Sequence, residues 1–333
     1  MSANIPNGRV LVLGASGFLG SHVARALAAQ GRELRLLVRA TSDLRGLAGV
    51  VAERVVGDVL DRESIRRAMQ GCDAVYHCVV DARSWLRDPL PLYRVNVDGL
   101  RNVLEEAQEC AVRRVVYTSS IVTIGLNPSG VATEADTFNW GDRAPAYVKT
   151  RVLGERAFLE ACRRGLDGVA CCVGTTYGDG DWQPTPHGRL VGLVVQRRLP
   201  VYWDGGLSVV GVQDAAEALL LAEGRGRAGA RYIVADRYLT MRRLVELVAG
   251  AAGVRRPWVR VPQPIMALAC ALGEGVSALR DRDSELARSS LALMHIMGDF
   301  DSRKAREELG WEPRPFEQSV QEAVAWFRDH FGE

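Results

Sequence analysis

The chain of 333 residues has almost no lysine: Lys149 and Lys304 are the only two among 42 basic residues. Arginine carries nearly all the positive charge, which matters at position 151 below. There is no basic or acidic block, and the net charge is only +2, which speaks against nucleic-acid binding. No uninterrupted apolar run reaches membrane-spanning length, so no integral membrane segment is expected. Met1 to Arg9 is short and polar and lacks the apolar core of a secretion signal. The seven cysteines form no C-x-x-C pair, which removes the commonest zinc and redox arrangements. Cys171 and Cys172 lie in an apolar run and read as small core residues. His77 and His187 have no partners at metal-ligand spacing and read as structural, so no metal is expected. A reducing cytoplasm is the simplest home. The rest, 47% hydrophobic and 25% charged, is ordinary for a globular protein.

What the chain does have stands near its start. Val10-Leu-Val-Leu reads as a buried parallel strand. Gly14, Gly17 and Gly20 follow at G-x-x-G-x-x-G spacing, and Ser21 to Gln30 reads as an amphipathic helix. Strand, glycine turn and helix N-terminus make a site for a dinucleotide pyrophosphate: the glycines let backbone N–H groups approach the phosphates, and the helix end favours negative charge. The bland alternative is a helix-capping turn without ligand. The strand before the motif and the helix after it favour the cofactor reading.

Strands and helices then alternate. Leu34 to Val38, Glu53 to Val56, Ala74 to Val79, Arg114 to Ser119 and Val169 to Val173 read as further strands. Ser64 to Met69, Val95 to Cys110 and Tyr147 to Arg164 read as helices. The alternation predicts an α/β fold, a Rossmann doubly wound parallel sheet. After Gly178, the Gly- and Pro-rich stretch Asp179 to Gly188 reads as a loop. Short mixed elements follow at Leu190 to Arg197, Asp214 to Glu223, Ala230 to Val234 and Thr240 to Ala252. They predict a smaller interleaved C-terminal substrate lobe. Residues 1–178 would form the cofactor domain and 179–333 mainly the lobe, with segments near 204–224 and 296–310 returning to the first domain. Pro264 to Leu279 is an apolar helix, read as buried packing in preference to lying on a membrane surface, because Glu274 interrupts it. Ser302 to Leu309 and Phe316 to Phe327 read as closing helices.

Ligands of such sheets gather at the strand ends. The second strand ends in Arg39-Ala-Thr-Ser42 with no carboxylate for a ribose. Arg39 can pair with a 2′-phosphate and Ser42 can add a hydroxyl, which favours NADP(H) and leaves NAD(H) open; the alternative is a solvated arginine. Thr118-Ser119-Ser120 follows the fifth strand, and Tyr147 and Arg151 share one helical face.

On these residues the chain resembles the extended short-chain dehydrogenase/reductases of the NAD-dependent epimerase/dehydratase superfamily. That family has a serine after the fifth strand and Tyr-x-x-x-Lys on the next helix. The resemblance implies that Tyr147 is the acid/base, Ser120 orients the substrate oxygen, and position 151 biases the tyrosine and holds the nicotinamide ribose. Here that position is arginine. It keeps the charge and the donors but cannot release a proton, so any relay through it is lost. Lys149 does not share the face and does not replace it. Either Arg151 is a working substitute, or the protein binds cofactor with weak or no turnover.

The resemblance extends along the chain. It covers Gly57-Asp-Val-Leu-Asp61, Tyr76-His-Cys-Val79, Asn96-Val-Asp-Gly-Leu-Arg-Asn-Val-Leu104 and Phe300 to Trp311. It implies cofactor contacts at Gly14, Ser16, Gly17, Phe18, Leu19, Gly20, Arg39, Ser42, Asp58, Val59, Cys78, Val79, Tyr147, Arg151, Val173, Thr175 and Thr176. The nearest group is dihydroflavonol-reductase-like, above all the hopanoid-associated sugar epimerases, through Asp81-x-Arg-x-Trp85, Pro184-Thr-Pro-x-Gly188 and Gly229-x-Arg-Tyr-Ile233. Two departures stand beside it: Val173-Gly174 where the family has a proline, and Gly211-Val-Gln-Asp214 where it has H-V-D-D.

Trp85, Trp140, Trp182 and Trp203 fall where this fold can gather a substrate mouth. Together they would imply an apolar or flat small-molecule substrate, with Arg189 nearby; the alternative is ordinary packing. The reading is an NADP(H)-dependent oxidoreductase of a ketone or secondary alcohol. An NAD-dependent sugar epimerase and a cofactor-binding protein without turnover stand as alternatives. A homodimer through Val95–Cys110 and Tyr147–Arg164 is what the resemblance implies.

Overall fold

The computed structural model describes residues 8–279, apart from 129, and 298–331. Residues 1–7 of the polar start and 296–297 of the expected return segment lie outside them. The central sheet has seven parallel strands. Five are β1 (Val10–Leu13), β2 (Leu34–Val38), β3 (Glu53–Val56), β4 (Ala74–His77) and β5 (Arg114–Ser120), and the others are Gly168–Val173 and Arg231–Val234. In space the order is Arg231–Val234, Gly168–Val173, β5, β4, β1, β2, β3. The strand order reverses across the sheet between β1 and β4, the point where sheets of this kind place their ligands at the carboxyl ends.

β1 is fully buried because both faces of the sheet are covered. Val10 and Val12 enter one core with Val23 and Leu27 of helix α1 (Phe18–Ala29), and with Ala215 and Leu219 of helix Val212–Arg225. Leu11 and Leu13 enter the other, with Leu100, Val103 and Phe158. β3 is the edge strand and stays largely exposed. Its Glu53 holds the buried Arg35 of β2 at 2.8 Å, and Arg35 also donates to the Ala68 and Gln70 carbonyls, which close the amino end of the sheet.

At Gly174 the chain leaves this sheet. Thr175–Tyr177 joins Gly206–Gly211 and Arg237–Thr240 in a second, three-stranded sheet. The switch needs glycine, since a Cβ at position 174 would lie 2.8 Å from the Ser208 carbonyl oxygen. A separate core forms here from Tyr177, Val191, Leu244, Val248, Phe316, Val324 and Phe327.

Three sequence expectations need correction. The helix expected from Val95 begins at Leu90 and runs to Glu109 through a π-helical turn at Arg94–Gly99. The stretch Asp179 to Gly188 is not loop throughout: Pro186–Val195 is a helix, capped by the Thr185 hydroxyl, which accepts from Gly188 N at 3.0 Å. Pro186 stands in its first turn, where a missing N–H costs nothing. The apolar helix Gln263–Leu279 is not buried packing. Ile265, Leu268 and Leu272 are 58%, 60% and 63% exposed. They fall on one face, and the buried Cys270 lies on the opposite one.

Candidate functional site

The glycine turn is built by close backbone approach. Gly14 has φ +80°, and a Cβ there would stand 2.7 Å from the carbonyl carbon of Cys78. The turn therefore rests on the end of β4, at the reversal point. Gly17 N donates to the Gly14 oxygen at 3.0 Å and starts α1 without a side-chain cap. A Cβ on Gly20 would meet the same oxygen at 2.1 Å, so α1 packs onto its own turn at backbone distance. Ser16, Gly17, Phe18 and Leu19 all keep exposed surface, and the first amides of α1 precede any intrahelical acceptor.

The end of β2 lies alongside. Ser42 Oγ accepts from Arg39 N at 3.0 Å and lies 3.4 Å from Ser16 Oγ, which ties this end to the glycine turn. Arg39 is exposed. Asp58 is spent locally: one carboxylate oxygen accepts from Leu60 N at 2.9 Å. Val59 is buried against Gly99. Cys78 is held by the Thr118 hydroxyl at 3.4 Å, and burial pushes its thiol up to about 11. Val79 follows, partly exposed.

Ser120 ends β5 opposite Val173. Its hydroxyl caps the short turn Ile121–Thr123, accepting from Val122 N at 3.4 Å. Tyr147 lies in the first turn of helix Ala146–Arg163 and is partly exposed. One turn on, Arg151 is buried. Its Nη2 donates to the Thr118 carbonyl at 2.6 Å, and the guanidinium lies 5.6 Å over the Tyr117 ring. Burial opposes its charge, but Tyr117, Tyr147 and Glu155 outweigh burial and raise its pKa. Beneath it His77 is fully enclosed and pushed down to about 3, by burial first and the Arg151 charge second; both its ring nitrogens are buried without a hydrogen-bond partner among the described residues, unlike the satisfied structural histidine expected. Tyr117 is pushed up to about 12 by burial.

Two polar anchors were not assigned to the site from the sequence: Asn96, read there only as part of a motif, and Glu155. Asn96, in the π-helical turn, pairs with the backbone of Asp81 in both directions (2.8 and 2.9 Å) and donates to Thr150 Oγ1 at 3.1 Å. Thr150 in turn donates to the Tyr147 carbonyl at 2.7 Å. Glu155 Oε2 accepts from Ser119 (2.6 Å) and Thr123 (2.8 Å), the residues bracketing the Ser120 turn, and Oε1 accepts from Arg231 at 3.0 Å. Tyr147, Arg151 and Glu155 recur every four residues on one face, a signal that the sequence already carried.

The four tryptophans do not form one cluster. Trp140 is core, packed beside Phe138 with Val148 and Ile233. Trp182 lies beside Gly46, where a Cβ would come 3.3 Å from its indole. It meets Trp326 and His330 edge-on and lies under Arg45 at 4.8 Å. Trp203 packs on the lobe core, and Trp85 is partly exposed after β4. Arg189 is exposed and turned back onto the Pro184 carbonyl at 2.9 Å. Thr175 and Thr176 pair with Val209 and Val210 in the second sheet. Of the departures, Gln213 donates to Asp179 at 3.2 Å, and a Cβ on Gly211 would collide with Asp214 and Ser319 at 2.2 and 2.3 Å. A surface cleft of about 660 Å³, lined by Arg25, Leu34 and Val51 among others, lies at the amino end of β2, away from this constellation.

The chain is similar to known proteins along nearly its whole length. Sterol demethylase protein B of Methylococcus capsulatus is 31% identical over 328 residues, 96% of this chain and 98% of its own. A Synechocystis protein described as a dihydroflavonol 4-reductase is 31% identical over 324 residues, 96% of this chain and 94% of its own. The crystal structure of gox2253 superposes with a TM-score of 0.86 at 34% identity, over 97% of this chain and 99% of that one. The model of the NAD dependent epimerase/dehydratase family matches residues 10–235. The chain belongs to that family, whose enzymes are NAD(P)-dependent oxidoreductases, epimerases and dehydratases.

Proposed function

We propose that the protein is an NADP(H)-dependent oxidoreductase that interconverts a ketone and the corresponding secondary alcohol on a substrate with a flat or apolar part. The observation that carries this reading is the setting of Arg151. It is fixed to the strand that presents Ser120, and its charge lies within electrostatic reach of Tyr147. The family lysine is thus replaced by a buried, oriented cation. The glycine turn fits a dinucleotide, since Ser16, Gly17, Phe18 and Leu19 keep exposed surface and α1 starts with no side-chain cap on its first amides. The amides after Gly17 would hold its pyrophosphate and Arg39 its 2′-phosphate. The bound nicotinamide supplies or takes the hydride. Tyr147 gives or takes the proton at its phenolic oxygen, Ser120 holds the substrate oxygen, and Arg151 holds the ribose and stabilises charge on the phenol. The names of the two relatives, for a sterol and a flavonoid, support an apolar substrate.

In this reading residues 1–178 are the cofactor part and 179–333 mainly the substrate part of a cytoplasmic homodimer. The seven free cysteines fit a reducing compartment. Fluorescence titration with NADPH and NADH tests the cofactor assignment. NADPH should bind at least about tenfold tighter, and Arg39→Gln should remove most of that margin. Equal affinity would remove the role of Arg39 and favour an epimerase. Tyr147→Phe should abolish turnover and leave NADPH affinity within a few-fold; full activity in that variant would sink the assignment.

A further inference from the structure

The lobe carries an exposed apolar face that includes none of the residues assigned above to cofactor binding or catalysis. Trp258 is 68% exposed, and Ile265, Leu268 and Leu272 form a stripe at i, i+3 and i+7 on helix Gln263–Leu279. Such a stripe on one exposed face marks an interaction site. Trp258 adjoins the strand Val259–Val261, which pairs with Val201–Trp203 and leads into that helix. The elements meeting there are rich in exposed arginine. Arg197 and Arg198 precede the first strand, and Arg242 and Arg243 open the helix Met241–Ala252. Arg255, Arg256 and Arg260 precede or lie in the second strand. Few acids oppose them. Glu246 is shared by Arg242, Arg243 and Arg256 at 3.0, 3.9 and 3.6 Å, and Asp204 is held by Arg260 at 2.9 Å. From Val254 to Gly273 the sequence has no carboxylate. The region is strongly positive in a chain of net charge +2.

We propose that this face docks on an anionic lipid bilayer, with the Ile265–Leu268–Leu272 stripe in the interface, Trp258 at headgroup level and the arginines on lipid phosphates. An apolar stripe beside arginines and a tryptophan is the pattern of a helix lying in the membrane plane. A second copy meeting the same face by twofold symmetry would set these arginines against one another, which opposes self-association here. Among the described residues no helix is long and apolar enough to cross a membrane, so the contact is peripheral. The proposal does not depend on the reductase reading.

Sedimentation of the full chain with phosphatidylcholine vesicles, with and without phosphatidylglycerol, tests it. The protein should pellet with the anionic vesicles, be released by high salt and stay in solution with phosphatidylcholine alone. Leu268→Glu with Leu272→Glu changes exposed positions only. That variant should keep its circular dichroism and lose vesicle binding at least about tenfold. Arg255→Gln and Arg256→Gln should each weaken binding roughly fivefold. Failure to pellet with anionic vesicles would overturn the proposal, as would undiminished binding of the double leucine variant. So would a concentration-dependent dimer that the leucine changes dissociate.

Discussion

Glycine is used at two places in this molecule for opposite reasons. In the cradle, a Cβ on Gly14 or Gly20 would strike backbone: the Cys78 carbonyl carbon at 2.7 Å and the Gly14 oxygen at 2.1 Å. At the start of helix Pro186–Val195, a Cβ on Gly188 would strike side chains: Asp181 Oδ2 at 2.0 Å and Phe327 Cζ at 2.9 Å. Backbone fixed in a sheet and a helix cannot yield, whereas a side chain can turn or be replaced. The first constraint therefore belongs to the glycine alone, and the second is shared with its neighbours. Gly20→Ala should have the largest effect of the changes considered. Pushing α1 off its turn should cost more than about 3 kcal/mol, in stability or in NADPH affinity, and no single side-chain change elsewhere should restore it. Thermal melting with and without NADPH measures both parts. Wild-type binding by the alanine variant would show that the turn gives way.

Asp181 makes the second region sensitive to pH. Thr185 donates to its Oδ2 from both N (2.8 Å) and Oγ1 (2.9 Å), yet burial dominates and raises the carboxyl to about 6. The folded state therefore holds this proton more tightly than the unfolded chain. Its contribution is full below the unfolded value near 4 and is lost as pH rises to about 6, by about 3 kcal/mol. The buried His77 and the partly buried His187, lowered to about 3 and about 4 by desolvation, act in the opposite direction and lose stability as pH falls below about 6.5. Asp181→Asn should remove the first slope and leave the second, so that the variant gains on wild type from about pH 4 to about pH 6 and the gain levels off above that. Urea unfolding at stepped pH measures this. Parallel curves for the two proteins would show that Asp181 titrates alike folded and unfolded.

Gly188→Ala sharpens the contrast with Gly20. It should cost roughly 2 kcal/mol in the wild-type background. In an Asp181→Ala background it should cost less, because the 2.0 Å obstacle is gone and only Phe327 must adjust. A coupling of about 1 kcal/mol in the double-mutant cycle is the expected outcome. Strict additivity would mean that Asp181 yields at no cost and that Phe327 sets the obstruction.

The same distinction decides what was legible in the sequence. The cradle writes itself into a short run, because each glycine answers backbone only a few residues away or at a strand end of fixed spacing. Tyr147 and Arg151 were legible for the same reason, being four apart on one helix. Glu155 was missed although it lies on that face, because its partners Ser119, Thr123 and Arg231 come from three other segments. Trp182 read as a substrate contact, since a loop tryptophan gives no sign of its neighbours. Its partners, Trp326 and His330, stand some 150 residues away on the last helix. The helix Gln263–Leu279 read as core from its composition. Hydropathy reports what a residue would bury, not whether the fold supplies a cover for it.

The smallest effect is expected where the two regions touch. Arg45, in the loop after β2, is held by Asp43 and lies 4.8 Å over the Trp182 ring, and a Cβ on the adjacent Gly46 would come 3.3 Å from the same indole. The Arg45–Asp43 pair is exposed and adds little. The stacking on Trp182 is worth about 0.5–1 kcal/mol at such a site. Arg45→Gln should therefore lower stability by no more than about 1 kcal/mol. Trp182→Leu should cost more, because it also removes the edge-on contacts with Trp326 and His330. If Arg45→Gln instead weakened NADPH binding strongly while barely moving the melting temperature, Arg45 would be a cofactor contact. The seam between the regions would then belong to the cradle, and the division drawn from the glycines would have to move to the far side of Trp182.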